Sequence, residues 1–213
     1  MSNLHRHPMK DLPPGYTRIG GIDLRESPKL NWILQIVTLV LFVIFGFAFV
    51  QLTLAMRPEL IEETFSLPLL TSLIGVLVAM IIVLILHEAV HGIFFWYFIR
   101  ARPHFGVGPG YAYAGAPDWY LPRNQHMVVG LAPLVVITVM GMALVLVVPP
   151  LVAWMVVLCV TFNASGAAGD IGVVGWCLTQ SPAILVQDTG MAIALYGPGT
   201  AQAENGKVDN SGL

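Results

Sequence analysis

Two histidines and a glutamate stand in the spacing H-E-x-x-H at His87, Glu88 and His91. On an α-helix, His87 and His91 lie one turn apart on the same face, so that both imidazoles can bind one metal ion. Imidazole nitrogens are common zinc ligands, and a carboxylate beside them can act as general base on a water molecule. The spacing therefore predicts a zinc-dependent hydrolytic site, with His87 and His91 as metal ligands and Glu88 as the base.

The motif lies inside an apolar run, residues 67–99, that is long enough to cross a lipid bilayer. Ionisable side chains are costly at membrane depth and usually mark functional positions there. Two alternatives to hydrolysis remain open at this point. The cluster could be a hydrogen-bonded polar patch without a metal, or it could serve a non-enzymatic transporter or metal-handling protein that uses buried His and Asp side chains.

The composition is that of a membrane protein: 56% of the 213 residues are hydrophobic and only 10% are charged. The formal net charge of -2 gives no reason to expect a nucleic-acid partner. The expected partners are the lipid bilayer and a peptide or membrane-protein substrate.

Apolar runs of sufficient length for a bilayer core of ~30 Å occur four times along the chain. We therefore predict an all-α polytopic membrane protein with a small cytoplasmic β-hairpin, and Pro133 is expected to kink the third helix. Residues 1–29 form a polar tail before a membrane domain at 30–197, and residues 198–213 are expected to be disordered. The predicted transmembrane helices cover residues 30–56, 68–99, 126–148 and 151–178.

The distribution of basic residues predicts the orientation. Arg57 is the only Lys or Arg in the first loop, and the other nine lie in the two terminal segments or around the loop at 101–125. Because cytoplasmic loops carry the excess of Lys and Arg, both termini and this loop are expected in the cytoplasm, with the protein in a plasma or inner membrane.

A third ligand is predicted on the fourth helix. Glu88 and Asp170 are the only acidic residues within the four predicted helices, and at ~1.5 Å per residue Asp170 and His91 fall at similar depth. His87, His91 and Asp170 would leave one position open for water, as catalytic zinc sites require. Asn163 lies two turns before Asp170 and points the same way, so it could orient a ligand, hold a substrate carbonyl, or simply bridge two helices.

Two further segments have more than one interpretation. The Gly- and Tyr-rich residues 105–115 could form a hairpin or re-entrant segment whose strand edge binds an extended peptide, or a plain interfacial loop. His104 and His126 flank this loop as spare ligand candidates, although an interfacial or helix-end role is the more ordinary reading of each. Residues 183–196 predict a β-hairpin with its turn at Asp188 to Gly190.

One set of motifs resembles a known family. The residues are His87-Glu88-x-x-His91-Gly92, then Ala132-Pro133 in the next helix, then Asn163-x-Ser165-x-x-x-Gly169-Asp170. Over residues 65–195 they resemble an uncharacterised family of membrane zincin peptidases, and more distantly the site-two proteases. The resemblance implies His87, His91 and Asp170 as zinc ligands and Glu88 as the base. The chain departs from site-two proteases in having Gly169-Asp170 where those enzymes have an Asp-Gly turn.

Overall fold

Long apolar helices make up most of the protein in the computed structural model, which describes residues 7–62, 68–108 and 111–199. Each helix consists largely of Leu, Ile, Val, Met and Ala, and many of these side chains face outward rather than into a core. The described helices are α1 (Pro28–Met56), α2 (Leu69–Ile99), α3 (Arg123–Val145), α4 (Pro150–Gly166) and α5 (Ala168–Leu178).

Three of these helices are long and apolar enough to cross a membrane: Pro28–Met56, Leu70–Ile99 and Arg123–Val145. The consecutive helices α4 and α5 qualify as a fourth if the bent pair is counted as one. The prediction of a mainly helical chain is therefore confirmed, and three of the four predicted membrane-length helices are present as single helices, with the bent pair in place of the fourth. The side of the membrane on which each end lies stays a prediction.

The fourth predicted helix, residues 151–178, is not continuous. It breaks at Ala167, and α4 and α5 meet there at a bend of 40°. Gly166 and Ala167 lie within a stretch of small residues from Ala164 to Gly169, and such a stretch gives the helix little side-chain packing to keep it straight. The break cannot be predicted from hydropathy, because the segments on both sides of it are apolar.

Helix α3 runs through Pro133 without interruption and begins three residues before the predicted start. It ends at Val145, and the Arg57 guanidinium donates hydrogen bonds to the carbonyl oxygens of Val145 and Val148 at 3.0 and 2.6 Å. This side chain supplies donors to carbonyls that a helix C-terminus leaves unpaired.

The predicted hairpin at 183–196 is present as β5 (Leu185–Asp188) and β6 (Ala192–Pro198). In its turn, Gly190 has a positive φ of 85° and its amide donates to the Asp188 carboxylate at 2.7 Å. These strands belong to a larger antiparallel sheet with the order β1-β6-β5-β4, in which β1 is Tyr16–Asp23 and β4 is Leu121–Pro122.

Strand β1 lies within residues 1–29, the segment predicted as a polar tail. It pairs with β6 along its length, and Gly20 lies against the Trp176 ring of α5, where a Cβ would come within 3.0 Å. The two adjacent glycines weaken the strand pattern in the sequence, and yet the close approach to Trp176 favours glycine. The predicted disordered tail at 198–213 lies, from residue 200 onward, outside the described residues.

The loop at 101–125 contains a β-hairpin, one of the alternatives considered for residues 105–115, rather than a plain interfacial loop. Strands β2 (His104–Gly108) and β3 (Tyr111–Gly115) form a separate antiparallel pair. The Phe105 ring covers Gly92 of α2 so closely that a Cβ there would overlap it. Gly115 lies against the backbone of the β5–β6 turn, with a hypothetical Cβ at 2.7 Å from the Gly190 nitrogen. The hairpin is thus held between α2 and the larger sheet.

Candidate metal centre

Three donor groups predicted from the sequence come together in the structure. Helix α2 presents His87 and His91, and the first turn of α5 presents Asp170. The Nε2 atoms of the two histidines are 3.2 Å apart, the Asp170 Oδ2 is 3.1 Å from His87 Nε2, and the Asp170 Oδ1 is 3.5 Å from His91 Nε2. These three residues form a group that could hold a metal ion.

The spacing of the donors fits zinc. Zinc binds imidazole nitrogen and carboxylate oxygen at about 2.0–2.2 Å in tetrahedral geometry, which places neighbouring ligand atoms about 3.3 Å apart. The two histidine nitrogens are 3.2 Å apart, and the Asp170 carboxylate lies 3.1 Å from His87 through Oδ2 and 3.5 Å from His91 through Oδ1, all close to that value. Three protein donors also leave one tetrahedral position for water or substrate.

Both imidazoles are oriented by a hydrogen bond at the opposite ring nitrogen. The Nδ1 of His91 lies 3.0 Å from the Val129 carbonyl oxygen, and the Nδ1 of His87 lies 3.0 Å from the Asn163 Oδ1. The Asn163 amide nitrogen donates to the Pro133 carbonyl at 3.1 Å, which assigns the acceptor oxygen of Asn163 to His87. Because carbonyl oxygens only accept, each Nδ1 carries the proton and each Nε2 offers a lone pair.

With these tautomers, the two Nε2 atoms and the Asp170 carboxylate repel one another. Two imidazole lone pairs and one carboxylate face each other at hydrogen-bond distance, and three acceptors without a proton or a cation between them repel one another. Both histidines are buried, so bulk water screens this repulsion only weakly. The arrangement therefore suits a divalent cation.

Glu88 shares the cavity onto which the metal group opens, which has a volume of about 350 Å³. Its carboxylate interacts with His87, His91 and the backbone amide of Ala114 in β3. The lining also includes residues 112–114 of β3, Leu30 and Leu34 at the start of α1, and Gly169 and Gly172 of α5. Glu88 is thus near the metal group without belonging to it.

The two spare histidines lie elsewhere. His104 is exposed, with its Nε2 3.6 Å from the Asp118 carboxylate. His126 is buried and lines the same cavity as the metal group, but its Nε2 lies 2.9 Å from the Asp188 carboxylate rather than near His87 or His91. Neither histidine joins the candidate metal group.

Sequence reasoning missed the backbone partners: the Val129 carbonyl, the Pro133 carbonyl and the Ala114 amide. One of them, the Val129 carbonyl, could have been found from Pro133. A proline inside a helix leaves the carbonyl four residues earlier without its usual donor. No sequence feature predicts the contact of the Ala114 amide, since its position depends on how the hairpin packs on α2.

Comparison with known proteins identifies the family. A family model described as "Putative zincin peptidase" matches residues 80–186, which include the whole metal group. The chain belongs to this family. Zincin peptidases use zinc, so membership points to a zinc metallopeptidase and does not favour the transporter alternative. No curated protein and no solved structure gave a significant match.

Proposed function

We propose that this protein is a membrane-embedded zinc metallopeptidase that hydrolyses peptide bonds near the cytoplasmic membrane face. The observation that carries the proposal is the convergence of His87 Nε2, His91 Nε2 and Asp170 on one point, with Glu88 on the same cavity. His87, His91 and Asp170 hold the zinc ion, and Asn163 orients His87.

Zinc, when bound here, polarises the scissile carbonyl and makes a neighbouring water more acidic. Glu88 takes a proton from that water and later delivers it to the leaving amine. Its position suits this transfer, because residue 88 points about 100° around the helix from residue 87 and so lies beside the metal group rather than within it.

The substrate is a peptide in extended form. Strand β3 pairs only with β2 among the described strands, and its residues 112–114 line the cavity next to Glu88. A strand edge binds an extended chain through main-chain hydrogen bonds with little dependence on sequence. A peptide added along β3 would bring a backbone carbonyl into the cavity that holds the metal group.

The test of catalysis is Glu88→Gln beside wild type, in detergent or liposomes with membrane-anchored peptides as substrates. Glutamine is nearly isosteric but cannot accept the proton, so turnover should fall by about 10²–10⁴-fold while zinc content stays the same. Asp118→Asn, at an exposed carboxylate outside the cavity, is the control and should retain full activity.

Equal cleavage by wild type and Glu88→Gln would remove Glu88 as the base. If wild type gives no peptide product, and liposomes that contain the Glu88→Gln variant differ from wild type in ion flux, the result would support a transporter instead.

The proposed orientation is tested separately with topology reporters. Nine of the ten basic residues lie on the side predicted to be cytoplasmic. A reporter fused after Leu213 should therefore report cytoplasm, and one inserted at Glu62 should report the opposite side. A C-terminal reporter on the far side would reverse the orientation and move the metal group to the other membrane face.

A further inference from the structure

We propose that Pro133 is a positioning residue for the metal group, acting on both histidines through two backbone carbonyls of α3. The inference rests on the proposed metal site and adds to it the reason why both imidazoles present Nε2. The contacts that carry it join Pro133 and Val129 of α3 to Asn163 of α4 and to the two histidines of α2.

The first link, from Pro133 to His91, depends on the backbone N–H group that proline lacks. In an α-helix the amide of residue 133 would donate to the carbonyl of residue 129, but proline has no N–H. The proline ring also crowds that carbonyl and turns it away from the helix axis. The Val129 oxygen is the atom that accepts from His91 Nδ1, at 3.0 Å. Val129 is 1% exposed, so water does not supply an alternative donor.

The second link runs through the carbonyl of Pro133 itself. This oxygen accepts from the Asn163 amide nitrogen at 3.1 Å. The bond fixes the direction of the amide, so that the other end, Oδ1, faces His87 Nδ1 at 3.0 Å. A free Asn163 amide could turn over and present its NH₂ group to His87, which would favour the wrong tautomer.

Both links thus meet at a single turn of α3, residues 129–133. One oxygen of that turn orients His91 directly and another orients His87 through Asn163. Outer hydrogen bonds of this kind fix the tautomer of a metal-binding histidine and increase its basicity. A substitution of Pro133 by alanine restores the N–H, which then competes with His91 Nδ1 for the Val129 oxygen.

The experiment measures metal binding rather than turnover. Full-length protein in detergent is stripped with a chelator and titrated with Co²⁺, whose visible spectrum reports its coordination. Pro133→Ala should weaken Co²⁺ binding by about tenfold and alter the spectrum, and Asn163→Ala should weaken it by about 10–100-fold. Pro150→Ala is the matched control, because Pro150 begins α4, where an N–H has no intrahelical acceptor.

Thermal unfolding of the metal-free proteins separates positioning from folding. Pro133→Ala adds a helical hydrogen bond, so its metal-free form should unfold at the wild-type temperature or above. Wild-type affinity and spectrum in Pro133→Ala would overturn the inference, and so would a metal-free form that unfolds well below wild type. Failure of the wild type itself to bind Co²⁺ or Zn²⁺ would overturn the proposed metal site, a result distinct from failure of the Pro133 variant alone.

Discussion

Two buried groups of histidine and carboxylate line the same cavity, and they are built differently. In the first, His87 and His91 use Nδ1 for carbonyl acceptors and turn Nε2 toward Asp170. In the second, His126 turns Nε2 directly onto Asp188, and its ring also interacts with the Cys177 side chain.

The difference is one of balance between donors and acceptors. A histidine beside one carboxylate shares a single proton with it, so no cation is needed between His126 Nε2 and Asp188. In the first group, a proton shared between His87 and Asp170 leaves the lone pair of His91 Nε2 facing them, an arrangement that suits a cation. The second pair joins the start of α3 to the β5–β6 turn, and we infer that it holds the sheet against the helices. Presence of histidine and aspartate in a cavity therefore does not by itself indicate a metal site.

The largest expected effect separates the two groups by metal content. Purified wild type should contain about one zinc ion per chain, and His87→Ala or His91→Ala should lose it, because each removes one of three donors. His126→Ala should keep the metal. Elemental analysis of the three variants after identical purification is the measurement. Unchanged zinc in both α2 variants would eliminate the site.

The next effect concerns the two carboxylates. Asp170→Asn replaces a charged ligand with a neutral amide, so metal affinity should fall by more than the ~10–100-fold typical of a lost outer partner. Asp188→Asn should leave the affinity unchanged, since its carboxylate lies on His126. Competition with a chelator of known affinity measures both. A similar loss in the two variants would mean that Asp188 also acts on the metal.

The smallest effect is on stability. His126→Ala leaves the Asp188 carboxylate without its imidazole partner, and the free energy of unfolding should fall by about 1–3 kcal/mol. Thermal unfolding in detergent measures the change for His126→Ala, Asp188→Ala and the double variant. If the pair acts as a unit, the double variant should lose less than the sum of the two single variants. Simple additivity would show that the two side chains stabilise the fold independently.

Sequence reasoning reached the parts of the fold that local patterns determine. The apolar runs located the helices to within a few residues, and helical spacing placed His87 and His91 on one face. The estimated depths along two helices placed Asp170 level with His91, and in the structure the donor atoms of these residues lie close together. Strand β1 and the Ala114 amide could not be predicted, because each depends on a partner far along the chain: β6 for the strand and α2 for the amide.

The break at Ala167 bears on the charge of Asp170. It makes Asp170 the third residue of a new helix instead of an interior residue of a long one. The amide groups at a helix start point outward along the axis, and the helix dipole there is positive. A negative side chain in that first turn is stabilised by typically about 0.3–1 kcal/mol, and a straight helix through residue 167 would remove this contribution. The bend thus directs the positive end of a helix dipole at the carboxylate that faces the two histidines.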